Sequence, residues 1–109
     1  MPKKYRLSRA DFMRLPKAAR RIHGTYFSLT VTPSPQLEGP RAACVVSKKV
    51  SARSVDRNRI ERRCRESLRP FLAGMKEPTA FIFFAKREAA SATFAEIRKD
   101  IGKLLERCL

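Results

Sequence analysis

Hydrophobic and polar residues alternate along this chain with two different periods, and the changes of period mark its elements. Over residues 25–32 the period is two. Thr25, Phe27, Leu29 and Val31 share one face, and Tyr26, Ser28, Thr30 and Thr32 share the other, as on a half-buried strand. Gly24 opens this strand, and Pro33, Pro35, Gly39 and Pro40 mark the loop after it. A second strand is predicted over residues 42–47. Residues 79–85, Thr-Ala-Phe-Ile-Phe-Phe-Ala, are a continuous apolar run suited to a central buried strand.

Elsewhere the period lengthens to that of a helix. Ile60, Cys64 and Leu68 recur every four residues and form a narrow apolar stripe on a helix predicted over 56–72, with Pro70 near its end. Gly74 and Pro78 break the chain after it. Thr93 and Glu96 stand at capping-box spacing and open a last helix, on which Phe94, Ile97, Ile101, Leu104, Leu105 and Cys108 share a face. A short first helix starts at the N-cap Ser8, with Asp11 at N3 and Leu7 and Phe12 at the staple positions, and stops before Pro16. The predicted order is αββαβα. It reads as a two-layer α/β (α+β) sandwich, a small mixed sheet with three helices, in a single domain over 1–109. The path from the second strand through the middle helix to the third strand suits a parallel crossover.

Charge changes the picture most. The net charge of +15 is unevenly spread. Residues 1–23 carry eight basic and one acidic residue, and residues 48–69 carry nine and three, so these two blocks hold +13 of the +15. Clustering of this kind is the footprint of a polyanionic partner. A membrane surface would call for a basic helix with a long apolar face or a lipidation signal, and neither is evident. No run of eighteen apolar residues marks a span, and the first fifteen residues lack the apolar segment of a secretory signal.

Candidates for catalysis by the chain itself are few. His23, the one histidine, has no cysteine or carboxylate at ligand spacing. Asp56, Glu61 and Glu66 balance charge within the middle helix, and Glu96, Asp100 and Glu106 are expected on the outer face of the last. No acidic cluster suggests a two-metal nuclease site, and no glycine-rich phosphate loop is present. Cys44, Cys64 and Cys108 are odd in number and lack metal-ligand spacing, so they read as buried free thiols in a reducing compartment.

The middle helix carries the strongest signal. With Ile60 at zero and 100° per residue, the apolar stripe centres near 40°, while Asn58, Arg62, Arg65 and Arg69 fall between about 140° and 200°. They form one row opposite the core, with Arg59 at its edge and no acid inside it. A solvated face would mix Lys and Glu at i, i+4. A row of arginines instead suits phosphate, which the planar guanidinium grips with two N–H groups. Lys48 and Lys49 extend the patch where the second strand meets this helix. In the first block, Arg9 and its basic neighbours surround Phe12, and Tyr26 and Phe27 follow. Cations interleaved with aromatics equip a surface for single-stranded RNA. Phe12 and Phe27 suit the core as well, and Tyr26 fits either reading.

At this point the sequence resembles the bacterial ribonuclease P protein family. Arg57-Asn58-Arg59-Ile60-Glu61-Arg62-Arg63-Cys64-Arg65 is similar to its arginine-rich signature. Val46-Ser47-Lys48-Lys49-Val50 resembles the strand before that helix, Leu7 to Leu15 the first helix, and Phe81 to Lys86 the strand after. The four matches occur in order over nearly the whole chain. The resemblance implies a left-handed βαβ crossover, against the usual right-handed rule. It implies an RNA partner, ribonuclease P RNA, that holds most of the Mg2+ and hydrolyses precursor tRNA to remove its 5′ leader in the cytoplasm, with no membrane or DNA partner. Residues expected on that RNA are Lys48, Lys49, Arg53, Arg57, Asn58, Arg59, Arg62, Arg65 and Arg69. A cleft between the first helix and the sheet is expected to take the leader on Arg9, Phe12, Tyr26 and Phe27. The chain departs from the family at Glu61, usually Lys, where local charge compensation is expected, and at Pro16, often a second aromatic. A ribosomal or other structural RNA-binding protein suits the charge and size equally. A DNA-binding regulator would want a helix-turn-helix pair or dimerising segment, and neither is found.

Overall fold

The structure, a computed structural model, describes residues 5–15 and 20–108. Its elements are α1 (Arg9–Met13), β1 (Arg20–His23), β2 (Phe27–Pro33), β3 (Arg41–Val45), α2 (Ser54–Ala73), β4 (Thr79–Ala85) and α3 (Phe94–Cys108), with a 3-10 turn at Arg87–Ser91 before α3. The predicted mixed sheet and three helices are present, and β4 has the predicted bounds. The predicted order lacked one strand, β1. Arg20 and Arg21 hid it, because only Ile22 of its four residues is buried. Charged side chains on a short strand are how an exposed sheet edge avoids pairing with other chains.

The sheet order is β1-β2-β4-β3. The β1/β2 and β2/β4 pairs are antiparallel, and β3/β4 is parallel, so α2 is the crossover between two adjacent strands. Register sets the faces. Ile22 pairs with Leu29, Leu29 with Phe83, and Cys44 with Phe83, so these side chains point to one side. There they meet Ile60, Cys64, Leu68 and Leu72 of α2 and Ile97, Ile101, Leu104 and Leu105 of α3 in one core. Each fully buried Ile or Leu contributes about 1.5–3 kcal/mol by leaving water. The predicted stripe of α2 is therefore the seam between helix and sheet. Of the face predicted on α3, Phe94 is instead exposed under Arg98, and Cys108 is half-buried.

Local capping chemistry follows the sequence. The Ser8 hydroxyl accepts from the Asp11 N–H at 3.0 Å. The Thr93 N–H donates to Glu96 Oε1 at 2.9 Å, and the Glu96 N–H donates to Thr93 Oγ1 at 3.1 Å, a reciprocal capping box. Pro16 lies outside the described residues; α1 has already ended at Met13.

One contact overturns an expectation. Asp100 is not on the outer face of α3 but buried, 7% exposed. Its carboxylate accepts from the backbone N–H groups of Thr25, Tyr26 and Phe27 at 2.9, 2.9 and 3.0 Å. Those three donors belong to the bend from β1 into β2 and have no ladder partner there, so a charged acceptor from α3 replaces one. Gly24 is needed beside it, because a Cβ there would sit 2.8 Å from Asp100 Oδ1 and 2.9 Å from the Phe27 carbonyl oxygen.

Candidate nucleic-acid interface

The arginines of α2 divide into two groups. Arg57 turns back to the loop before the helix and donates to the carbonyl oxygens of Ser51 and Ala52 at 3.0 and 2.8 Å. Asp56 holds Arg59 at 3.3 Å and Arg53 loosely at 3.9 Å. Arg63 reaches the Ala92 carbonyl at 3.3 Å. Arg65 is bound to Glu61 one turn earlier. These side chains organise the start of α2 and its seam with the next segment. Asn58, Arg62 and Arg69, with Lys48 and Lys49 before the helix, are exposed and make no hydrogen bond or ion pair among the described residues. They are the polar heads that a phosphate backbone can engage without first breaking a contact.

Glu61 supplies the local charge compensation expected of it, at the cost of engaging Arg65. An i, i+4 pair at this exposure is worth no more than about 0.5 kcal/mol. An anion approaching the row can therefore displace it.

None of the four residues expected to take the leader lines the cleft beside the first helix. This cleft is an open space of about 560 Å³ where the segment leading into α1 runs beside β3. Arg6 bridges to Ala42 in parallel, and the Leu7 N–H donates to the Ala42 carbonyl at 3.0 Å. Arg6, Arg41 and Arg65 bring positive charge to its walls, with Asp11 and Glu61 opposing. Arg41 is largely buried there, its Nε has no partner among the described residues, and Glu38 is 4.0 Å away. Sequence reasoning missed Arg41, although the lone basic residue of segment 24–47, inside a strand, was a signal.

The four residues assigned to the leader are not brought together. Phe12 is 42% exposed on α1, which removes the reading of it as a core staple, and Arg9 is exposed on the same helix. Phe27 is fully buried, 0% exposed, on the sheet face that packs against α2 and α3, so its assignment to the leader is corrected: it is core. Tyr26 is tied to α3, its hydroxyl donating to Glu96 Oε2 at 2.8 Å. That bond, first among the causes, raises the Tyr26 pKa above its ordinary value. Glu96 is lowered, chiefly by the Thr93 N–H and then by Tyr26.

The opposite sheet face carries aromatic and cationic groups that the sequence reading passed over. Phe84 pairs with Ser28 and Val45, so it points away from the core. It is half-buried, Val45 is exposed, and the Arg21 guanidinium sits 5.4 Å over the Phe84 ring. His23 shares this face, its Nδ1 3.1 Å from the Ser28 hydroxyl. The signal was the apolar run 79–85, whose alternate members must face away from the helices.

Among the described residues, no three His, Cys, Asp or Glu side chains gather where they could hold a metal ion. No described helix is long and apolar enough to cross a membrane.

The whole chain, residues 1–109, matches the family model described as Ribonuclease P. The ribonuclease P protein component of Acidothermus cellulolyticus is 35% identical over 109 residues, covering 98% of this chain and 90% of that one. That of Pseudanabaena sp. is 31% identical, covering 98% and 93%. Among solved structures, the RNase P protein of Staphylococcus aureus superposes with a TM-score of 0.83 at 25% identity, over 95% of this chain and 94% of that one. The Thermotoga maritima protein, at 21% identity and a TM-score of 0.78 over 94% and 96%, shares the fold.

Proposed function

From the premise that the chain belongs to the ribonuclease P protein family, we propose that it binds the catalytic RNA of ribonuclease P and the 5′ leader of precursor tRNA, in the cytoplasm. The observation that carries this reading is the row of unengaged cations and amide on α2, Asn58, Arg62 and Arg69, continued by Lys48 and Lys49. It supports the RNA subunit as the partner of this face, with Arg53, Arg57, Arg59 and Arg65 shaping it and donating to phosphates at its margin. Arg41 and Arg6 in the cleft add charge beside it. For the leader, the surface we assign joins Phe12 and Arg9 on α1 to Arg21, Val45 and Phe84 on the sheet face turned away from α2 and α3. Stacking on exposed rings plus backbone charge is the chemistry that holds single-stranded RNA. In this reading hydrolysis and its Mg2+ belong to the RNA partner.

The test is reconstitution. Protein, a bacterial ribonuclease P RNA and a precursor tRNA are mixed at a magnesium concentration too low for the RNA alone. Cleavage at the mature 5′ end is expected only when both protein and RNA are present. Failure of the protein to stimulate cleavage, or cleavage by rigorously RNA-free protein, rejects the proposal.

A further inference from the structure

Two of the three cysteines meet where β3 packs under α2. Cys44 pairs in register with Phe83, so its side chain points into the seam, and Cys64 is fully buried on the facing side of α2. Their sulfur atoms are 2.6 Å apart, not far above the bonded length of about 2.0 Å. The two positions differ in access. Cys44 is half-buried and lines the open cleft, whereas Cys64 is sealed in the core. Cys108 is elsewhere, half-buried at the last turn of α3, with its sulfur on the Leu105 carbonyl at 3.2 Å. The proposed RNA surface uses none of these thiols.

We propose that Cys44 and Cys64 are a redox-reactive pair, which a small disulfide oxidant such as glutathione disulfide closes into an intramolecular disulfide that ties α2 to the sheet. The Cys44 thiolate attacks one sulfur of glutathione disulfide. A Cys44–glutathione bond forms, the glutathione S–S bond breaks, and one glutathione thiolate leaves. The Cys64 thiolate then attacks Cys44 Sγ, forms the Cys44–Cys64 bond and expels the second glutathione thiolate. The two protein thiols lose two electrons and two protons, and the oxidant becomes two reduced glutathiones. Burial pushes the Cys64 thiol well above its ordinary pKa. Cys44, reached through the cleft, is therefore the first to react.

The test treats the full chain with glutathione disulfide at pH 8, blocks remaining thiols with an alkylating agent and maps the peptides by mass spectrometry. A peptide linking Cys44 to Cys64 is expected, with Cys108 alkylated, and dithiothreitol should restore all three thiols. The linked protein should melt about 10 °C higher, since the bond closes a loop of about twenty residues. Cys108→Ser should close the same link, and Cys44→Ala should not. Three alkylated cysteines, a glutathione adduct on Cys44 that never closes, or a link through Cys108 or between chains overturns the proposal.

Discussion

Truncating Phe12 to alanine separates the proposed leader contact from ordinary packing. A fully buried phenylalanine cut to alanine costs about 3–5 kcal/mol of stability. Phe12 is 42% exposed, and no residue of the five-residue α1 is buried. Scaled to its partial burial, the cost here is about 2–3 kcal/mol, inside the roughly 5–15 kcal/mol that holds a domain of this size. The variant therefore stays folded. A base that stacks on the ring is worth about 1–3 kcal/mol, or a loss of roughly 5- to 150-fold in affinity. The assay measures the melting transition of the variant, then the affinity of the reconstituted holoenzyme for precursor tRNA and for mature tRNA. Precursor binding should weaken by that factor while mature tRNA binding holds. Equal weakening of both tRNAs, or a stability loss above 3 kcal/mol with no leader-specific effect, would refute the reasoning.

Changing Arg62 and Arg69 together to alanine should flatten the log–log salt dependence of RNA binding by about one to two units, from a slope near −4 to −5; an unchanged slope places the RNA on another surface. Asp100→Ala should lower the melting temperature by 10 °C or more. It strands three N–H donors of the β1–β2 bend, at about 3–5 kcal/mol after discounting the two nearer solvent, and a drop under about 3 °C refutes the clamp. The Tyr26–Glu96 bond should stabilise the fold at neutral pH and fade on both sides. Its contribution is lost as pH rises through the raised tyrosine pKa, and again as pH falls through the lowered carboxylate pKa. Ultraviolet titration should show Tyr26 ionising at lower pH in Glu96→Gln, and an unmoved transition refutes the assignment.

What was legible in the sequence was local. The run 79–85, the Thr93–Glu96 box and the Ile60, Cys64, Leu68 stripe depend on neighbours within a turn or a strand, and each is found where its pattern placed it. The errors concern what lies on the far side of an element. Alternation divides β2 into two faces but does not say which one the helices cover, so Phe27 could be read as a ring open to RNA. The covered face is decided by α2 and α3, tens of residues away. Asp100 looked like one more surface acid because its three donors are more than seventy residues earlier. The row on α2 was legible as a charge pattern. Which arginines remain free within it was not, since that depends on partners such as the Ala92 carbonyl beyond the helix.

The Asp100 clamp has a consequence for how the protein can be assembled as it is synthesised. The bend it holds is made early, within the first thirty residues, but its acceptor is added some seventy residues later. Until α3 docks, the bend from β1 into β2 has three donors facing water or each other, and β1 is a charged edge strand with one apolar anchor. With unmet hydrogen bonds and little buried surface, the first hairpin is not a stable seed on its own. Loop closure across so long a stretch comes late and slows the search. Folding of the sheet and arrival of the last helix become a single cooperative event. A ribosome-bound fragment that stops short of residue 100 should then expose its N-terminal half to proteases, which the finished domain conceals.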